Sequence, residues 1–415
     1  MSIATLYLQK NADRRLHAGH LWVYSNEIDN ARSPLKDFSP GQPVRLCAAD
    51  GSVLANAYVN PHSLICARIF SRDPHFALDR SLLVHRFNIA LSLRERCFKL
   101  PYYRLVYGDS DGLPGLVIDR YGDVVVVQIG TAGMELVREE IIAALDKVLK
   151  PRAIVFKNES SVRALEGLEN YVEVVAGTLP DPLWLEENGV RFQISVLEGQ
   201  KTGWFYDHRM NRQRLATYVP GQRVLDVFSY AGAWGIQAAV AGASNVLCLD
   251  SSAKALASVQ ANAAANGVAE RVQIQQGDAF DTLKALRQAE TRFDVIVVDP
   301  PAFIKRRKDQ RSGEQAYRRI NQMAMQLLEK DGILVAASCS LHLSRAEFIK
   351  ILNAAARHLD RELQIIEQGG QGPDHPIHPA IPETDYLKAV FCRLLKNPSR
   401  RREPEAPAVD ATDPD

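Results

Sequence analysis

The C-terminal half of the chain alternates short apolar runs with helical segments, and few folds accommodate that alternation. The runs are Arg223 to Val227, Asn245 to Leu249, Val272 to Gln275, Asp294 to Val298 and Ile333 to Ala337, with helical stretches such as Ser252 to Asn266 between them. Near-continuous apolar strands are buried on both faces, and helices between them serve as crossovers joining parallel neighbours. From about Gly189, opened by strand-like Arg191 to Leu197, the expected fold is therefore α/β, a doubly wound parallel sheet. Ligands of such sheets bind outside the carboxyl ends of the strands. Each run here ends in a chemically useful residue: Asp226, Asp250, Asp278, Asp299 and Cys339. These five are far apart in sequence, and the fold would gather them at one crevice.

The strand-to-helix turn after Asp226 reads Val-Phe228-Ser229-Tyr230-Ala231-Gly232. Small residues in such a turn let a ligand approach the backbone. Neither GxGxxG nor GxxxxGK[ST] occurs, so no dinucleotide fingerprint or P-loop is indicated. Asp250, followed by Ser251, can accept both hydroxyls of a ribose. Asp278, followed by Ala279 and Phe280, can accept from an adenine amino group. Each aspartate alone is equally readable as a turn residue or helix N-cap; jointly they fit an adenosine-containing cofactor. Asp299-Pro300-Pro301-Ala302-Phe303 is a rigid turn after a buried strand, able to present a carboxylate to the edge of an extruded base and an aromatic ring to its face.

The remaining sequence reads as smaller modules. Residues 1–75 alternate short apolar runs (Ala4 to Leu8, Pro43 to Cys47, Val53 to Val59, Leu64 to Phe70) with turn clusters, as in a small β barrel. Residues 76–187 open with a helix from about Leu78 to Phe98. Strands Leu116 to Asp119, Val124 to Ile129 and Ala153 to Lys157 and a helix Met134 to Leu149 then suggest an α+β domain. Residues 188–396 form the α/β domain, and 397–415, rich in Pro, Arg, Glu and Asp, are expected to be a disordered tail.

Charge alone does not announce a nucleic-acid binder: 50 Lys and Arg stand against 49 Asp and Glu, a net +1. Locally, residues 305–319 hold Lys305, Arg306, Arg307, Lys308, Arg311, Arg318 and Arg319 against Asp309 and Glu314, which is 7 − 2 = +5. The bland reading of such a run is a solvated surface. The six cysteines make no CxxC or zinc-ligand spacing, so no metal is expected. Scattered cysteines, no signal-peptide pattern and no apolar stretch near the roughly 18 residues of a membrane span point to the cytoplasm, away from membranes.

DVFSYAGAWG, LCLDSS, GDAF and FDVIVVDPPAF together resemble class I S-adenosylmethionine methyltransferases. With LHAGHLWVYSNEI, VYGDSDGLPGLVIDRYGD, LEGQKTGWFYDHRMNR, SCS and DHPIHPAIPETDYLKAVFCR, the chain resembles the bacterial family that methylates cytosine carbon 5 in 23S ribosomal RNA. The resemblance spans all but the tail. It implies an N-terminal PUA domain, a central α+β domain and a Rossmann-like methyltransferase domain. S-adenosylmethionine is the implied cofactor, and 23S RNA or a large-subunit precursor the implied partner; a homodimer stays open. Lys201 and Thr202, by resemblance, pack over the cofactor. Pro300, Phe303, Lys305, Arg306 and Arg307 are expected to meet RNA, and His375 and His378 either line the pocket or belong to a proline-stabilised loop.

Cytosine carbon 5 is a poor nucleophile, and a thiolate adding at carbon 6 activates it. Cys339, in Ser338-Cys339-Ser340 after an apolar strand, matches the family's attacking cysteine, with Asp299 on the base edge. The bland reading is a buried core cysteine, which is how Cys248 is read. Another family of cytosine-5 enzymes carries a second cysteine where this chain has Ala302, so a one-cysteine route is implied. DPP-x-F also resembles enzymes that methylate exocyclic amines of guanine or adenine, the rival reading.

Overall fold

Valines at four successive positions show how the chain is layered. In a strand, neighbouring side chains point to opposite faces. Val125 and Val127 pack with Leu83 and Phe87 of the helix Arg80–Cys97. Val124 and Val126 join a different core with Trp204, Tyr206 and Trp234. The strand Val124–Ile129 is thus buried on both sides, and the central sheet lies between a helical layer and the C-terminal domain. The computed structural model describes residues 3–396; the expected disordered tail, from Asn397, lies outside the described residues.

The N-terminal sheet has the strand order Ala4–Tyr7, Gln42–Cys47, Val53–Val59, Ile65–Ser71, Trp22–Tyr24. It closes over its own core of Leu6, Val44, Ala57 and Ile69. The central sheet runs Tyr171–Gly177, Ala153–Asn158, Val124–Ile129, Leu116–Tyr121, Tyr102–Tyr107. The helix expected over Met134 to Leu149 is two helices, Ala132–Glu135 and Arg138–Leu149.

A hairpin, Leu183–Glu187 with Val190–Ile194, crosses residue 188, where the sequence pattern changes. Its two-residue loop is Asn188-Gly189, with φ of 54° and 78°. Positive φ at both positions is the requirement of a type I′ turn, which Asn-Gly meets with little strain. The turn sets the register Glu187↔Val190 and leaves Glu187 buried, where Arg212 donates to both carboxylate oxygens (2.6 and 2.9 Å) and Trp204 Nε1 adds a third bond of 2.9 Å.

The C-terminal sheet has the order Val272–Gln276, Asn245–Asp250, Arg223–Val227, Phe293–Val298, Leu328–Ser338, Lys388–Lys396, Arg361–Gly369. The first five strands are parallel, as expected. The last two are antiparallel to their neighbours, so the sheet is mixed. The chain enters Lys388–Lys396 from the irregular loop 370–387 instead of a crossover helix, and a loop permits the reversed direction. Chain order reverses at Arg223–Val227, which runs outward to one edge before Phe293–Val298 pairs on its other side. That switch point opens a crevice at the carboxyl ends. Period-two burial again divides the faces: Val224, Val295, Val297 and Val335 enter one core, Leu225, Ile296, Val298 and Leu334 the other.

Buried ionic groups tie the modules together. Arg94 is 0% exposed, pairs with Asp111 through two bonds of 2.7 Å and donates to the Asp374 carbonyl in loop 370–387 (2.9 Å). Asp374 Oδ2 accepts from the Arg104 backbone N–H at 3.1 Å. Removing one partner of a buried pair strands the other charge, at a cost of about 3–5 kcal/mol. Arg94→Met is therefore expected to lower unfolding free energy by roughly that amount, read by urea denaturation; a loss near zero would show that Asp111 and the loop find other partners.

Candidate active site

A cleft of about 510 Å³ lies at the switch point. Its wall includes Asp250 and Ser251 from one strand end, Phe228, Ser229 and Tyr230 from the first turn, Asp299 to Ala302 from the next, and Cys339. Lys201, Phe205, Asp207 and His208 close it from the segment before the sheet, and Tyr386 and Leu387 from the return loop. Three of the five expected strand-end residues, Asp250, Asp299 and Cys339, therefore meet.

The other two are used differently. Asp226 is fully buried and lies within its strand, paired in register with Cys248 and Val297, so it stands behind the cleft. Its Oδ2 accepts from the Gly235 N–H at 2.9 Å. A Cβ on residue 235 would come 2.5 Å from Cys248 Sγ and 3.1 Å from that same oxygen, so glycine is what lets the helix start dock on the carboxyl. Asp278 is exposed and acts as the N-cap of the helix Ala279–Gln288, accepting from Phe280 N and Asp281 N. Capping, the alternative open for each aspartate, holds for this one; it and Ala279 lie outside the cleft wall.

Thr202, Ala231 and Gly232 also depart from expectation. Thr202 is buried and its hydroxyl donates to Asp119 Oδ2 at 2.5 Å, bracing the central sheet instead of facing the cleft. Ala231 packs into the core and Gly232, with φ of 82°, begins the next helix. Asp207, in the cleft wall, accepts from the Tyr386 hydroxyl. His375 is buried against Asp374 and Tyr107, and His378 Nδ1 accepts from Ala380 N, so both belong to the loop. Lys305, Arg306 and Arg307 are exposed beyond the wall, and Phe303 packs on Tyr317 at a ring separation of 4.9 Å.

Asp299 Oδ2 accepts from Trp234 Nε1 at 3.0 Å, and Oδ1 lies 3.3 Å from His208 Nε2, close enough for an ion pair but without the geometry of a hydrogen bond. The amide of Asn211 is oriented by the Gly370 carbonyl, which accepts from its Nδ2, and by Arg214, which donates to its Oδ1. That Nδ2 faces His208 Nδ1 at 3.1 Å, which makes Nδ1 the acceptor and Nε2 the proton-bearing nitrogen toward Asp299. Burial opposes ionisation of Asp299, but His208 and the Trp234 bond outweigh it and hold its carboxyl below the usual value. Asp226 has one N–H donor and carboxylate neighbours; burial, reinforced by Asp299 and Asp250, pushes it up to about 7.

Cys339 is partly accessible, unlike buried Cys248 and Cys392. Its two neighbours hold it in place. Ser340 Oγ accepts from the Ile304 N–H at 3.1 Å, linking this strand end to the Asp299 loop. Lys388 Nζ donates to the Ser340 carbonyl at 2.6 Å and the Tyr386 carbonyl at 2.7 Å. Burial, then Asp299, pushes the Cys339 thiol up to about 11, while Lys201 and Lys388 pull against them.

Sequence reasoning did not single out His208, Trp234, Tyr386 or Lys388. All lie inside the quoted family-like stretches, but nothing in their local pattern marks them as cleft residues.

A PUA-like domain family matches residues 6–72, and an S-adenosylmethionine-dependent methyltransferase family matches residues 169–393. The Ribosomal RNA large subunit methyltransferase I of Erwinia tasmaniensis is 36% identical, over 94% of this chain and 99% of its own length. That of Aeromonas salmonicida is 37% identical, over 94% and 98%. The chain belongs to the ribosomal RNA large subunit methyltransferase I family. Its fold is shared by a methyltransferase solved in complex with SAH (TM-score 0.81, 22% identity, 94% of this chain and all of that one) and by one from Streptococcus mutans (TM-score 0.79, 22% identity, 94% and 100%). The resemblance read from the sequence is borne out for the PUA-like region, the methyltransferase domain and the cofactor.

As in other members of that methyltransferase family, the cofactor is S-adenosylmethionine, and the cleft residues fit it. Ser229 Oγ is buried in the wall without a hydrogen-bond partner. Phe228 and Tyr230 hold φ of 67° and 49°, strained values for side-chain-bearing residues that cluster at ligand sites. Asp250 accepts from Tyr230 N and Ser252 N, one bond per oxygen, leaving lone pairs for hydroxyl donors.

Two titrations follow. Between the ordinary aspartate range and about 7 the unfolded chain ionises Asp226 while the folded chain keeps its proton, so folding loses stability as pH rises through that window. Asp226→Asn, whose carbonyl still accepts from Gly235, should gain on the wild type across that window and hold a constant gain above it. Unfolding midpoints measured against pH check this, and a gain that does not change with pH contradicts it. The thiolate, not the thiol, is alkylated, and Cys339 titrates near 11. Iodoacetamide labelling of Cys339, followed by peptide mass spectrometry, should therefore accelerate by about tenfold per pH unit between about 7 and 10; a plateau below pH 9 would show a lower thiol pKa.

Proposed function

We propose that this enzyme methylates carbon 5 of a cytosine in 23S ribosomal RNA, through a covalent bond between Cys339 Sγ and carbon 6 of the base. The curated relatives are ribosomal RNA large subunit methyltransferases by name. The observation that carries the finer reading is an accessible thiol sharing one cleft with an Asp-Pro-Pro turn. An amine methyltransferase needs no nucleophile beside that turn; a carbon-5 enzyme does.

S-adenosylmethionine supplies an electrophilic methyl group. Asp250 would accept from the ribose hydroxyls of that cofactor, while Ser229, Ser251 and the Phe228–Tyr230 turn would line its site and Lys201 would cover it. Asp299, kept ionised by His208 and Trp234, accepts from the exocyclic amino group and orients the base over Pro300. Cys339 loses its proton, with Lys201 and Lys388 favouring the thiolate, and adds to carbon 6. Electron density moves to carbon 5, which takes the methyl as the sulfonium–methyl bond breaks and its electron pair stays on the departing thioether sulfur. Loss of the carbon-5 proton to solvent, with expulsion of Cys339 as its thiolate, then restores the aromatic ring. Phe303, Lys305, Arg306 and Arg307 contact the RNA beside the target, and the PUA-like sheet contacts it further away.

Cys339→Ala is expected to abolish methyl transfer to ribosomal RNA while S-adenosylmethionine still binds, as titration calorimetry measures. RNA containing 5-fluorocytosine should crosslink to the wild type and not to the variant. A variant that keeps substantial activity, with a methylated purine in the nucleoside digest, would replace this reading with amine methylation.

A further inference from the structure

The helices Ala279–Gln288 and Gln310–Leu327 pack side by side and leave an open groove of about 400 Å³ on the surface of the methyltransferase domain. Its charged side chains are Lys284 and Arg287 from the first helix and Arg318 and Arg319 from the second, and no acidic residue lines it. The local charge is +4 (4 − 0) on a chain whose total is +1. Lys284 and Arg287 are spaced i, i+3, and Gln315, Arg318, Arg319 and Gln322 repeat at i, i+3, i+4, i+7, so each set shares a helix face. All four cations are exposed, and among the described residues none makes an ion pair with a carboxylate. Four cations facing one another repel, and an anionic partner relieves that repulsion.

Aromatic side chains lie between the groove and the cleft. The Arg319 guanidinium lies 4.9 Å over the Phe280 ring, and Phe280 lies 6.5 Å from Phe303. Phe303 directly follows Ala302 of the cleft wall. A strand whose base enters the cleft can therefore continue across one aromatic layer into the groove. Beyond it, Arg318 also borders a second hollow with Arg311 and Lys350, which extends the basic rim. Glu314 and Glu347 line that hollow too, but the Glu347 carboxylate is committed to capping Ser344.

We infer that this groove is a docking track for the sugar–phosphate backbone of the RNA flanking the methylated nucleotide, with Lys284, Arg287, Arg318 and Arg319 each neutralising phosphates. The inference rests on the reading of ribosomal RNA as substrate and adds a second contact surface, separate from the PUA-like sheet. Arginine pairs with phosphate oxygens through its planar fork, and the glutamine amides add neutral donors. Such contacts carry no sequence information; they fix register and appear as salt dependence.

The test uses the full-length protein and a 23S RNA fragment, with affinity measured by fluorescence anisotropy between about 50 and 300 mM salt. The variant K284Q/R287Q/R318Q/R319Q is expected to bind at least about tenfold more weakly at 100 mM, and its plot of log affinity against log salt should be shallower by about 2 to 3. S-adenosylmethionine affinity and the unfolding midpoint should match the wild type, which separates lost docking from lost folding. The pair R318Q/R319Q alone should give an intermediate slope. Unchanged affinity and slope in the fourfold variant would overturn the inference. So would a loss seen only with assembled ribosomal particles, because the groove would then meet a protein. If the wild type methylates no cytosine yet the slope still falls in the variant, the track stands and the proposed chemistry fails.

Discussion

A sheet buried on both faces confines its chemistry to its ends. Each central strand of the C-terminal domain sends alternate side chains into two separate apolar cores, so a polar group along its length would be buried without solvent. Only where the strands stop can carboxylates and thiols meet water or a ligand. Chain order reverses at Arg223–Val227, and the loops leaving its two sides diverge there. Asp250, Asp299 and Cys339 meet because packing forbids them elsewhere and topology opens that one edge.

In the cleft wall and just behind it, partners decide the protonation of chemically identical groups. Asp226 and Asp299 are both deeply placed carboxyls from neighbouring strands. Asp226 receives one backbone N–H and is surrounded by other acids, so burial wins and its proton is held. Asp299 receives an indole N–H and lies against His208, so its charge is held instead. The same Asp299 charge works against ionisation of Cys339, and two lysines act in the opposite sense. Base edge, nucleophile and cations form one coupled electrostatic unit.

Much of this is legible in the sequence alone. Apolar runs located the five parallel strands to within a residue or two at most ends, apart from Leu328–Ser338, which begins five residues before its expected start. The polar residues after those runs marked three of the cleft's principal groups. Aspartate type alone could not distinguish lining from bracing or capping: Asp226, Asp278 and Asp250 share one local signature and all accept backbone N–H groups, and they differ in where the fold puts them, Asp226 inside the sheet, Asp278 exposed at a helix start and Asp250 in the cleft wall. Thr202 was misread for a similar reason, since its partner Asp119 comes from the central sheet. His208, Tyr386 and Lys388 arrive from segments outside the strand-and-helix alternation, so no periodicity announced them. The antiparallel direction of Lys388–Lys396 was equally hidden, because apolar content reports burial and not chain direction.

Arg94 grips the loop 370–387 from a helix of another module, and Arg104 holds the same loop through Asp374. That loop runs directly into Tyr386, Leu387 and Lys388, two of which line the cleft and the third of which braces the cysteine's strand end. The cleft wall and the central sheet are thus mechanically geared. A load applied to the central module is transmitted through the Arg94 guanidinium and the Arg104 backbone N–H to the cleft wall formed by Tyr386 and Leu387, so the shape of the reaction chamber is set in part by a domain that contributes no side chain to its lining.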